Sequence, residues 1–157
     1  MTAPVQIAPG RVRDSRVLSL LDALTAELAS GGYTPEQTFG YPVDKLEQAG
    51  VHLITAEAEG RLVGIAGIEV DDTGAELKRF YVVPEARGTG VAAALLQALV
   101  DYAHRNGVRI LRLETGDKQH AAIRFYRKHG FTEIPRFGPY VDSTTSICMQ
   151  QVLTAAR

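Results

Sequence analysis

The sequence predicts an α+β domain built on a mixed, mostly antiparallel sheet with helices on its flanks. Three observations predict it. From Val51 to Val70 two apolar, β-branched runs are separated by Glu59-Gly60 and followed by Asp71-Asp72-Thr73-Gly74, the pattern of strands joined by tight turns. Residues 76 to 92, Glu-Leu-Lys-Arg-Phe-Tyr-Val-Val-Pro-Glu-Ala-Arg-Gly-Thr-Gly-Val-Ala, read as a buried strand, a tight turn and a helix start. A helix of over a dozen residues then separates this strand from the run Arg109 to Thr115. A crossover of that length makes the two strands parallel.

Each element follows from local chemistry. Val5 to Ile7 is a short first strand. Asp14 or Ser15 caps a helix whose apolar face is Val17, Leu18, Leu20, Leu21, Leu24 and Leu28, and Gly31-Gly32 stops it. Tyr33 to Pro42 mixes Tyr, Phe, Gly and Pro without a period, and a short helix runs from about Val43 to Ala49. Val51–Glu57 and Arg61–Val70 form a hairpin, so three antiparallel strands precede the turn at Pro84, which has no N–H and ends the ladder. The helix Gly90 to Arg105 stops at Asn106-Gly107. After Arg109–Thr115 comes a helix from Gln119 to His129, stopped by Gly130. Phe131–Ile134 and Thr145–Leu153 make a closing pair around a loop that carries Arg136, Phe137, Tyr140 and Asp142.

With 157 residues, 45% hydrophobic content and a net charge of −1, the chain reads as one domain, residues 1–157, able to bury a single core. The charge balance argues against a nucleic-acid binder. No apolar run approaches a membrane span, and Met1 to Gly10 lack a signal-peptide layout, which makes a cytoplasmic location the expectation. The single cysteine, Cys148, excludes an internal disulfide and lies in the last strand, away from the motifs. His52, His104, His120 and His129 show no metal spacing, so no metal is expected. His129, beside Gly130, reads as a cation at a helix end, and Arg124, Arg127 and Lys128 as a solvated basic face.

Gly88 and Gly90 open a helix. The first N–H groups of a helix have no internal partner, and with the helix dipole they form an anion site that glycine leaves uncovered. A phosphate-bearing ligand is therefore expected on residues 87 to 92. The P-loop spacing is absent. The dinucleotide fingerprint would place its third glycine at Ala93, an allowed variant, with Glu114 as its acid 24 residues after Gly90, a loose fit.

Arg87-Gly88-Thr89-Gly90-Val91-Ala92 resembles the Arg/Gln-x-x-Gly-x-Gly/Ala signature of the GNAT superfamily of acyl-CoA-dependent N-acyltransferases. Gln119-His120-Ala121-Ala122-Ile123-Arg124-Phe125-Tyr126-Arg127-Lys128-His129-Gly130-Phe131 is similar to its second signature, with Gln119 where the family usually has Asn. The likeness covers about residues 60 to 150. It implies a GNAT-like sheet, splayed where the acyl-CoA arm enters, and an N-acetyltransferase that passes an acetyl group from acetyl-CoA to a primary amine by direct attack. The acceptor class it suggests is a small or amino-acid-like molecule, and members are often homodimers.

The same resemblance implies site residues. Pyrophosphate would sit on Arg87, Gly88, Thr89, Gly90, Val91 and Ala92, with Gln119 and Ala122 nearby. The pantetheine arm would run along Phe80, Tyr81 and Val82, with the Val82 N–H reaching the thioester oxygen. Tyr126 holds the position of the acid that protonates the leaving thiolate. The attacking amine must lose a proton, because an alkylammonium near pKa ~10 has no lone pair. Glu76 is the first choice of base and Glu114 the second. Tyr33, Phe39, Tyr41, Glu114, Tyr140 and Asp142 are acceptor-side candidates, with packing of the loop onto the core as the alternative for Tyr33, Phe39 and Tyr41. The alternative is a non-catalytic acyl-CoA-binding module that keeps the loop without the acid–base chemistry.

Overall fold

Tight turns lay down an antiparallel ribbon first. In the computed structural model, which describes residues 4–38 and 41–153, β1 (Gln6–Pro9) pairs antiparallel with β2 (His52–Ala58), β2 with β3 (Arg61–Asp71), and β3 with β4 (Gly74–Val82). The β2–β3 turn is Glu59-Gly60, with φ of 52° and 77°, the positive-φ pair whose twist matches a two-residue hairpin. Four antiparallel strands thus precede the glycine loop, one more than the sequence reading gave. The extra one is β1, which joins β2 after the first two helices rather than standing alone.

Helix α1 (Ser15–Ser30) is capped by Asp14, whose side chain accepts the Arg16 N–H at 2.8 Å, and it buries Val17, Leu20, Leu21 and Leu24. Helix α2 is Val43–Gln48. Helix α3 (Val91–Arg105) buries Val91, Leu95, Leu96, Leu99 and Ala103. It lies close on β3 because Gly64 has no side chain: a Cβ there would come within 2.8 Å of Leu95 Cδ1. The crossover through α3 makes β5 (Ile110–Gly116) parallel to β4. Helix α4 (His120–Lys128) leads to β6 (Thr132–Ile134), and β7 (Ser146–Val152) inserts between β5 and β6. The sheet order is β1-β2-β3-β4-β5-β7-β6, an α+β arrangement in which, among the described residues, one contact is parallel, β4 with β5.

Two local features position the site. Ile65 lies opposite Tyr81 and Gly67 opposite Lys78, so the single residue Ala66 faces both Arg79 and Phe80. This is a β-bulge in β4, and Arg79 carries its positive φ, 52°. The Arg79 guanidinium is anchored on α1, its Nη2 donating to Thr25 Oγ1 at 2.8 Å and Leu21 O at 3.2 Å. The second feature is a short ladder. β4 and β5 pair at Ala75↔Leu111 and Glu76↔Arg112. Beyond those pairs, residues 77–82 of β4 and 113–116 of β5 line a shared cleft.

Period-two alternation then sorts the side chains. Leu111 and Leu113 of β5, with Met149 of β7, are buried on one face of the sheet. Arg112, Glu114 and Gly116 pair with Gln150, Cys148 and Ser146, which places these residues on the other face.

Candidate active site

One cleft of about 610 Å³ runs from the start of α3 to the far halves of β4 and β5. Its first end is made of backbone. Gly88 and Gly90 have φ of 77° and 94°, and a Cβ on either would meet nothing within 4 Å. The glycines are needed for conformation, and the open side is left to a ligand. Among the described residues, no acceptor is found for the N–H groups of Gly88, Thr89 and Gly90. Those of Val91, Ala92 and Ala93 open the helix and have no intrahelical partner. The expected set needs one correction. The Arg87 N–H bonds to Pro84 O at 3.2 Å, so the free donors begin at Gly88 and extend to Ala93.

The other side chains of the loop are tied down. Arg87 donates through Nε to Val82 O (2.9 Å) and through Nη2 to Glu27 (2.6 Å), while its guanidinium lies over the Tyr81 ring. Thr89 Oγ1 bonds to Ala86 O at 2.5 Å, and Val91 is buried in the core. Ala92, Gln119 and Ala122 line the cleft.

The middle of the cleft is aromatic. Phe80 meets Phe125 and Tyr126 at 6.0 Å between centroids, and Tyr126 packs edge-on to Phe131 at 5.7 Å. Burial pushes the Tyr126 phenol up, so its hydroxyl stays protonated and available as a donor.

The far end is made of side chains drawn from several elements. Glu76 Oε2 accepts the Tyr140 hydroxyl at 2.5 Å and the Lys78 ammonium at 3.1 Å, with both charged side chains almost covered. Lys78 Nζ also lies 4.6 Å from the centre of the Tyr41 ring, and the Tyr41 hydroxyl donates to Glu69 at 2.6 Å. Burial and the Glu69 bond push the Tyr41 phenol to about 12. The Tyr140 phenol is raised as well, by burial first and then by the charge of Glu76.

Glu114, on β5, faces the same end of the cleft. Its pKa is pushed up to about 7, by burial first; the Ser146 hydrogen bond and Lys78 oppose the rise, and the charge of Glu76 adds to it. Ser146 Oγ donates to Glu114 Oε2 at 2.5 Å. A carboxyl poised near neutrality in a cleft can hold or release a proton at ordinary pH.

Several expectations meet this geometry differently. Tyr33 reaches the cleft, but its hydroxyl accepts the Lys118 N–H at 2.7 Å and faces Asp117 Oδ1 at 3.3 Å. It clamps the segment after α1 onto the β5–α4 turn, where a side chain on Gly116 would run into its ring. Phe39 lies outside the described residues. Asp142 is exposed and is not among the residues that line the cleft. Cys148 is not remote from the charged cluster: it lies directly across the ladder from Glu114. Burial raises its thiol, which leaves it a poor nucleophile. His129 caps its own helix, its Nδ1 2.8 Å from Phe125 O. Among the described residues there is no cluster able to hold a metal ion, and no helix is long and apolar enough to cross a membrane.

The sequence reading missed Lys78 and Ser146. Glu76 and Lys78, at alternate positions of a strand whose other residues, Arg79 apart, are apolar, were a usable signal for the first. Ser146 sits in a polar run and had none.

Comparison with known proteins agrees with the architecture. The family model described as Acetyltransferase (GNAT) family matches residues 20–131. A protein of Azospirillum brasilense named IAA acetyltransferase is 32% identical over 151 residues, covering 95% of this chain and 98% of its own. A structure from Klebsiella pneumoniae assigned to the acyl-CoA N-acyltransferases superposes with a TM-score of 0.82 at 30% identity, over 98% of this chain and 100% of the other. An Elizabethkingia anophelis GNAT family acetyltransferase with acetyl-CoA bound shares the fold at a TM-score of 0.73 and 18% identity, over 95% and 98%. The two sequence blocks and the seven-stranded sheet thus have one origin: the chain belongs to the GNAT family of acetyltransferases.

Proposed function

We propose that the protein transfers the acetyl group of acetyl-CoA to the primary amine of a small, amino-acid-like acceptor by direct attack. One observation carries the reading: a single cleft joins the free N–H groups of residues 88–93 to the near-neutral carboxyl of Glu114.

The pyrophosphate of the substrate takes the N–H groups at the start of α3, where the helix dipole favours an anion. Its pantetheine arm runs beside β4. Val83 N–H points to β3, bonding Val63 O at 2.9 Å, so alternation turns the Val82 N–H toward the β5 side, where it serves as the oxyanion donor. The sequence expectation of a splay between β4 and β5 is our reading of their short ladder.

Glu114 is the base, in preference to Glu76. Glu76 is held by Lys78 and Tyr140, which engage its charge and one of its oxygens. Glu114 takes a proton from the acceptor ammonium, and the freed nitrogen attacks the thioester carbonyl. The C–S bond breaks as the amide forms, and the thiolate leaves with the second proton, the one the acceptor nitrogen sheds as it becomes an amide. The Tyr126 hydroxyl supplies the hydrogen bond to that sulfur. Tyr41, Lys78 and Tyr140 surround the acceptor, with Tyr33 bracing the wall. A cavity bounded by three tyrosines favours a compact molecule over an extended protein segment.

The test begins with thermal-shift titration against acetyl-CoA, coenzyme A, NAD and ATP, since a ligand of the folded state raises Tm by mass action. A rise with both coenzyme A species, followed by thiol release with members of an amine panel, is the expected result. Binding without acetylation of any amine would turn the reading into a binding module, and no coenzyme A binding would end it.

A further inference from the structure

Glu114 is enclosed. The charged and titratable groups that face it are Glu76 and Lys78 from β4, Tyr140 from the 3₁₀ turn Gly138–Tyr140, Tyr33 from the segment after α1, and Cys148 from β7. The Tyr33, Tyr140 and Cys148 protons are held more tightly than usual, by burial first, and Glu76 is occupied by Lys78 and Tyr140. A proton taken up at Glu114 while the cleft is full of substrate therefore needs another way out.

The other side of the carboxyl offers one. Ser146 is 1% exposed, and its Oγ lies 2.5 Å from Glu114 Oε2 and 2.7 Å from Ser143 Oγ. Ser143 Oγ is 3.4 Å from Thr145 Oγ1, and both of these residues are half-exposed. The backbone around them is fixed. Arg136 donates to Ser146 O (3.1 Å) and Thr144 O (3.3 Å), and the Asp117 N–H bonds to Thr145 O (2.8 Å). A serine hydroxyl gives one proton and accepts others, so a row of them can pass a proton without holding a net charge.

We propose that Ser146 and Ser143 form a hydroxyl relay, with Thr145 at its outer end, that carries the proton collected by Glu114 from the cleft to solvent. The inference rests on the reading of Glu114 as base. In the relay step the protonated carboxyl gives its proton to Ser146 Oγ as Ser146 gives its own to Ser143 Oγ. Ser143 in turn releases one to Thr145 or water, and the hydroxyls rotate back.

The experiment follows kcat and kcat/KM against pH, at low and high imidazole buffer, for wild type, Ser143→Ala, Ser143→Thr, Ser146→Ala and Glu114→Gln. Ser143 does not touch Glu114. Its alanine variant should keep the acid limb of kcat/KM and the KM for acetyl-CoA, yet lose roughly threefold or more in kcat at low buffer, a loss that imidazole reverses and Ser143→Thr lacks. Ser146→Ala should also move the acid limb upward by about one pH unit, since it removes a hydrogen bond to the carboxylate. A Ser143→Ala enzyme that matches wild type at every buffer concentration overturns the relay. Glu114→Gln separates the failures. If it keeps the wild-type profile, the base assignment falls and takes the relay with it. If it abolishes the limb while Ser143→Ala is indifferent to buffer, the relay falls alone.

Discussion

The two ends of the cleft are built from different materials. At the start of α3 the chemistry lies in the backbone: N–H groups from six consecutive residues, 88–93, held by two glycines at positive φ. At the ends of β4 and β5 it lies in side chains. Glu76, Lys78, Glu114, Tyr140 and Ser146 come from three strands and a 3₁₀ turn, and each is oriented by another member of the group. A backbone site tolerates changes in side chain as long as the conformation survives. A side-chain site depends on burial and charge pairing, and so it couples activity to stability.

That contrast can be broken or sharpened by substitution, most strongly at the carboxylates. Glu114→Gln should lower kcat/KM by ~10² to 10⁴, the usual contribution of a general base, while isothermal titration shows unchanged acetyl-CoA affinity. Glu76→Gln keeps the shape but leaves the covered Lys78 ammonium without its counter-charge. Loss of one partner of a buried pair costs about 3–5 kcal/mol, and the small remaining exposure of both side chains places the expectation at the lower figure, read by urea unfolding.

Glu114 also predicts a pH-dependent stability of known sign. Its folded pKa, about 7, lies above its ordinary value of 4.5. The protonated form is the one the fold favours, so the contribution is full below about pH 4.5 and is lost as pH rises through 7. Glu114→Gln should therefore be more stable than wild type by roughly 2–3 kcal/mol at pH 8 and equal to it at pH 4. A variant that gains stability as it loses activity would sharpen the contrast between the two ends.

At the backbone end the effects are smaller and confined to affinity. Gly90→Val forces a β-branched residue toward φ of 94°, a cost of about 1–2 kcal/mol, so the KM for acetyl-CoA should rise ~10-fold with kcat retained. Thr89→Ala removes only a hydroxyl bonded to Ala86 O and should change that KM by less than about threefold. A large effect of Thr89→Ala would show that side chains matter at this end too.

The same distinction explains what could be read in advance. The α3 loop was legible because its ligand site is local: Gly88, Gly90 and the helix that follows are contiguous, and their chemistry is fixed by conformation. The hairpins and the parallel crossover were legible from turn residues and connection length. The far end was legible only in part: Glu76, Glu114 and Tyr140 were candidates, but how they pair, and the parts of Lys78 and Ser146, depend on the register. Glu114 and Ser146 are 32 residues apart and become neighbours once β7 lies beside β5. The ranking of the two carboxylates depended on Lys78, whose partner could not be known before β4 was aligned. Tyr33 does line the cleft, but the bond that holds its hydroxyl, to the Lys118 amide 85 positions along the chain, could not be read before the fold brought the two together.

The most direct measurement is kcat/KM for an accepted amine from pH 5.5 to 9.5 in wild type, Glu76→Gln and Glu114→Gln. An acid limb near pH 7 is expected in wild type, a limb moved to lower pH in Glu76→Gln because a like charge has gone, and no such limb in Glu114→Gln. A limb that survives in Glu114→Gln and disappears in Glu76→Gln would contradict this and return the base to Glu76.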